Sequence, residues 1–167
     1  MQRIIKNGQV IDETWHLLPR DATLDGLSNC DDLIVPLDLW REHSHALRAR
    51  DGGLGVWLES DEQVEEIADD LAHFQVIALN FPSFTDGRHY SSARLLRERY
   101  GYTGEVRAIG DVLRDQLFLM RRCGFDAFAV RPDRDPYDAL LGLQDFAEVY
   151  QTSVDQPQPL FRRRLMS

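Results

Sequence analysis

Five short runs that are apolar on both faces, each followed by an amphipathic stretch, constrain this chain more than any other feature. They are Leu33 to Leu37, Gly55 to Leu58, Val76 to Phe81, Val106 to Ile109 and Ala127 to Val130. A strand with no polar face must be covered on both sides, which is the condition of a parallel sheet whose strands are joined by crossover helices. The stretches between predict helices over Leu39 to Arg50, Asp61 to Phe74, Arg88 to Tyr100, Val112 to Arg122 and Pro136 to Val149. Ser60 with Gln63 three residues on reads as a capping box, Asp86 and Asp111 stand where side chains can cap, and Asp135-Pro136 puts proline in a first helical turn. In the fourth helix Leu113, Leu117 and Met120 share one face, and Arg114, Arg121 and Arg122 turn to water. Ahead of this rhythm, Arg3 to Trp15 reads as two strands joined at Asn7-Gly8, a pair suited to the positive φ angles of a tight hairpin. The hairpin is expected as an ornament before the main fold.

The expected fold is therefore α/β, with about five βα units in a mainly parallel sheet plus an N-terminal β-hairpin. Either a partial TIM-like barrel or an open flavodoxin-like sheet satisfies that pattern, because one sequence does not give strand order. Polar residues at every strand end tilt the choice toward the barrel. With 167 residues and 43% of them hydrophobic, residues 1–150 make one α/β domain, the hairpin occupying 1–15. Residues 151–167 carry two prolines, no helical period and the run Arg162-Arg163-Arg164, the signature of a flexible tail. Cys30 and Cys123 are too far apart for a metal or redox motif and too few for a disulfide framework, so cytoplasm is the expected compartment. The start turns polar before any signal-like apolar run forms, and no stretch could span a bilayer. A formal charge of −9 and the lack of a basic-aromatic surface argue against nucleic acid.

In open parallel sheets and in barrels, ligands bind beyond the carboxyl ends of the strands. Reading each run to its end gives Asp38, Glu59, Asn80, Gly110-Asp111 and Arg131, of which capping explains Glu59 and Arg131 least. The loop Pro82 to Arg88 adds hydroxyls, a glycine and an arginine at a helix entrance, a composition that suits an anion. Charge is also asymmetric: Glu59 to Asp70 holds seven acids and no base, while Arg88 to Arg122 holds eight arginines against four acids. Other motifs fail on spacing. His43 and His45, two apart on a helix, diverge rather than share a metal. Gly52-Gly53-Leu54-Gly55 precedes a strand, where a phosphate loop must follow one. No ligand set for a cofactor is visible, and none is assigned.

From Gly87 the words Gly87-Arg88-His89-Tyr90-Ser91-Ser92-Ala93-Arg94-Leu95-Leu96-Arg97, then Gly104-Glu105-Val106-Arg107-Ala108-Ile109-Gly110-Asp111-Val112, then Gly124-Phe125-Asp126, resemble a bacterial domain-of-unknown-function family, number 934. Its members usually carry the label of an oxidoreductase of sulfite reduction and are typically encoded beside the sulfite reductase haemoprotein. The resemblance implies an accessory protein of assimilatory sulfite reduction, with sulfite reductase as its partner and a small oxyanion as its ligand. No catalytic residues come with it. The matching words place Arg88, Tyr90, Arg94, Arg107, Gly110 and Asp111 as candidates around that oxyanion, where Arg would supply charge-assisted donors. With the strand ends, the pocket candidates are Glu59, Asn80, Arg88, Arg107, Gly110, Asp111 and Arg131. Two alternatives stay open: a barrel-type small-molecule enzyme with Glu59, Asn80, Asp111 and Arg131 in a polar ring, and a non-catalytic protein-interaction domain using its charged flanks.

Overall fold

The computed structural model describes residues 2–83 and 85–144. Eight strands form one sheet: β1 Arg3–Lys6, β2 Gln9–Asp12, β3 His16–Leu17, β4 Leu33–Pro36, β5 Leu54–Leu58, β6 Val76–Phe81, β7 Glu105–Gly110 and β8 Ala127–Phe128. Their order across the sheet is β2-β1-β8-β7-β6-β5-β4-β3. From β3 to β8 every neighbour is the preceding strand and every pairing is parallel. Sequential parallel strands with right-handed crossovers send every helix to the same face, the winding of a barrel and not of a flavodoxin-like sheet.

The ends of the chain's first two strands show how far the sheet curls. β2 and β3 are its opposite margins, yet only Glu13, Thr14 and Trp15 lie between them in sequence. Eight strands laid flat would set the margins roughly 34 Å apart. The three-residue bridge reaches at most about 14 Å. The sheet therefore rolls into a half-barrel whose two margins the bridge ties together. The bridge is held at both ends, since the Glu13 amide donates to the Gln2 carbonyl at 2.8 Å and the His16 amide to the Asp32 carbonyl at 2.9 Å.

Alternation along the strands sorts the side chains into two cores. Leu33, Val35, Val56, Leu58, Ile77, Leu79, Val106, Ala108 and Phe128 face outward under the helices in the larger one. Ile34, Trp57, Val76, Ala78 and Ile109 face inward, with Trp15 of the bridge packed against them. The Trp57 indole donates to the Leu18 carbonyl at 2.9 Å. The hollow of the half-barrel is thus packed with side chains.

Several local expectations need correction. The hairpin forms at Asn7-Gly8 with φ of +51° and +79°, but it is no ornament: β1 pairs antiparallel with β8 and extends the sheet. The two-residue strand β3 has no periodic signal of its own. Among the described helices, α1 spans Leu37–Arg48, and the second segment, Val64–His73, is a 3-10 helix, one turn shorter at its start than expected. Its cap is Gln63 without a side-chain bond; in place of the capping box, the Glu62 carboxylate accepts from the Glu59 amide at 2.7 Å. Next come α2 (Arg88–Arg94), which continues as a π-helical turn over Leu95–Arg99, and α3 (Arg114–Cys123). Leu117 and Met120 of α3 are buried as the periodicity required, but so is Arg122. Asp111 does not cap α3, which starts three residues later behind Leu113. α4 (Pro136–Leu140) begins as read, the Asp135 carboxylate accepting from the Tyr137 amide at 3.0 Å, and a 3-10 turn follows over Leu141–Gln144. The expected remainder of that helix to Val149 and the tail at 151–167 lie outside the described residues. Among those described, no helix is long and apolar enough to cross a membrane.

Candidate functional site

The parallel strands all present their carboxyl ends to one rim, so the polar groups that follow them are gathered by topology. After β5 comes Glu59, whose carboxylate accepts from the Asn80 amide at 2.7 Å, and Asn80 belongs to β6. Gly110, at the tip of β7, sits hard against that pair. A Cβ there would fall 2.3 Å from Asn80 Oδ1 and 2.4 Å from the Phe81 carbonyl oxygen, and the residue's φ is +91°. Only glycine lets β6 and β7 close this tightly. The turn then delivers Asp111, which accepts from Arg131 beyond β8 at 3.2 Å. The four residues of the supposed ring therefore stand as two bonded pairs, Glu59 with Asn80 and Asp111 with Arg131.

The start of α2 locks onto the same rim. Arg88 grips both oxygens of Asp86 at 3.0 and 2.6 Å and reaches Ser60 at 2.8 Å. This guanidinium holds the Asp86 carboxyl well below the usual carboxylate range. His89, 1% exposed, fixes its own tautomer. Its Nε2 lies 2.8 Å from the Glu59 carbonyl, which can only accept, so Nε2 carries the proton and Nδ1 accepts from the Ser92 hydroxyl at 3.0 Å. Burial pushes the imidazole pKa below its ordinary value, with the bond to Glu59 opposing. Tyr90 turns to the helix side and packs on Phe81, ring centroids 5.4 Å apart. Arg94 lies farther along α2 and pairs with Glu98 at 3.1 Å.

Arg107 stands elsewhere. It points inward from the body of β7, between Ala78 and Ala127, and is 3% exposed. It donates to Glu105 at 2.7 Å and is ion-paired with Glu13 of the bridge, while Glu105 meets Lys6 of β1 at 2.9 Å. The arginine fastens the bridge to the middle of the sheet.

Beside Arg131 the carboxyl rim opens into a cavity of about 520 Å³ between β1, β8 and α4, bordered by Arg3, Arg131, Arg134 and Tyr137. Arg131 is committed to Asp111 and to Asp133, the latter at 3.1 and 3.0 Å. The other two guanidiniums are held loosely: Arg134 meets Asp133 only at 3.9 Å, and Arg3 lies 3.5 Å from Asp12 and 3.4 Å from the Tyr137 hydroxyl. Donors at such distances make weak bonds at best. Reading strand ends finds Arg131 but not its companions. Arg3 arrives only through the antiparallel pairing of β1 with β8, while the charged run between Pro132 and Pro136, with Tyr137 just after it, was the signal that could have found Arg134 and Tyr137. A second cavity, about 470 Å³ beside Asn7, Phe125 and Phe128, lies at the amino ends of the strands, the rim that in barrels serves stability. Among the described residues no group of three or more His, Cys, Asp or Glu side chains is placed to hold a metal ion.

Compared with known families, residues 55–161 match the model described as bacterial protein of unknown function, DUF934. No curated protein matches, and neither does any solved structure.

Proposed function

We propose, on the premise that this chain belongs to the DUF934 family of bacterial proteins, that it is an accessory protein of assimilatory sulfite reduction that holds a small oxyanion at the carboxyl rim of its half-barrel. One observation carries the reading: three guanidiniums, Arg3, Arg131 and Arg134, border a single cavity there. Arginine offers paired, permanently charged donors to an oxyanion. Arg131, fixed by Asp111 and Asp133, supplies a rigid wall, whereas Arg3 and Arg134 have donors to turn toward a ligand. The resemblance noted in the sequence supplies sulfite as the oxyanion, sulfite reductase as the partner and the cytoplasm as the setting.

Titration calorimetry on the full chain tests the site. Sulfite is expected to bind saturably, chloride is not, and Arg134→Ala is expected to weaken sulfite by roughly tenfold, the loss of one charge-assisted bond. Absence of sulfite binding, or binding indifferent to Arg134→Ala and Arg3→Ala alike, would remove the proposal. The partner is tested separately by affinity capture from cells growing on sulfate: sulfite reductase should co-purify, and its consistent absence would dispose of that half.

A further inference from the structure

We infer that the arginine-bordered cavity takes an organic anion, a sulfate or phosphate monoester with a planar body, in preference to a bare inorganic oxyanion; this rests on the oxyanion reading above. Size is the first reason. The cavity measures about 520 Å³, within the roughly 300–1,000 Å³ of small-molecule sites. An inorganic oxyanion fills on the order of two or three water volumes, each about 30 Å³, and would leave most of that space, which is open to solvent, to water.

The border is also divided in kind. Arg3, Arg131 and Arg134 supply positive charge against one bordering carboxylate, Asp135, which is spent on capping α4, while Pro132, Pro136 and the Tyr137 ring supply an apolar floor. Tyr137 is 54% exposed, so much of its ring is open to a planar group. The Arg3 guanidinium already sits over that ring, 5.8 Å from its centre, so a planar ligand shares the ring with it. A ligand lying on Tyr137 therefore brings its ester group within reach of Arg3, and the loosely held Arg134 closes on it from α4's side. Charge and platform at this spacing suit a molecule that carries its oxyanion on a ring system.

Calorimetry with the full chain separates the possibilities, using inorganic phosphate and sulfite against phenyl phosphate and a nucleoside 5′-monophosphate. The monoesters are expected to bind roughly tenfold tighter than the inorganic ions, the worth of one stacking contact. Tyr137→Ala should erase that preference, and Tyr137→Phe should keep it. Arg134→Ala should weaken esters and inorganic ions together. Equal affinity for both classes, or a preference that survives Tyr137→Ala, overturns this inference and leaves the oxyanion reading standing. If no anion binds in the unaltered chain, both fall.

Discussion

At the scale of single residues, two positions at the rim have consequences that can be measured. Gly110 combines a φ of +91° with a Cβ position already occupied by Asn80 and the Phe81 carbonyl. Gly110→Ala should cost about 3 kcal/mol of stability, read from the urea midpoint, because strain and a backbone clash add. His89 gives a pH dependence whose sign follows from its burial. Its folded pKa lies below the ordinary value, so the unfolded chain takes up the proton first. The contribution of His89 is complete above pH ~6.5 and is lost as pH falls from there toward the folded pKa. Unfolding measured between neutral and mildly acid pH should show stability falling, and His89→Gln should flatten that fall. His89 stood inside the sequence words of the resemblance without a role, and its bond to the Glu59 carbonyl gives it one: it ties the head of α2 to the tip of β5.

At the scale of elements, the sequence showed β4 to β7 to within a residue at either end, because a run apolar on both faces has few other uses, whereas β8 stops at Phe128, two residues short of the Val130 expected. β6 is Val76–Phe81 as read. What escaped were elements with no period to display. β3 has two residues, and the second helix is wound as 3-10, which places its side chains otherwise than a 3.6-residue count suggests. Arg107 was misplaced toward the mouth for a related reason: a strand read as Val106 to Ile109 does not say which face a charged member takes. Its position inside the hollow predicts an asymmetric response. Arg107→Leu leaves the buried Glu105 and the partly buried Glu13 without their guanidinium and should cost about 3 kcal/mol. Arg107→Leu combined with Glu105→Leu and Glu13→Leu should restore part of that loss. Chemical denaturation of the single and triple variants decides it, and a triple variant no more stable than the single one would contradict the assignment.

At the scale of the whole molecule, curvature and the meeting of distant segments were beyond reading. Nothing local in Arg3 says that it will stand beside Arg134, more than a hundred residues later; the β1–β8 pairing brings them to one cavity. Similarly, five βα units fit an open or a rolled sheet, polar strand ends only tilt the choice toward the rolled one, and the sequential strand order decides for it. The candidate site was legible only in its half contributed by strand tips.

The link formed by Glu13, Thr14 and Trp15 works as the clasp of a hoop. Four glycine or serine residues spliced in beside Thr14 would slacken it without deleting a single contact. Amide hydrogen exchange should then quicken first in β2 and β3, while β6 and β7 stay protected. Since Arg3 rides on β1, next to the loosened margin, such a splice should also widen the cavity and weaken the anion binding proposed for it. The length of three residues would then set how far the sheet stays rolled.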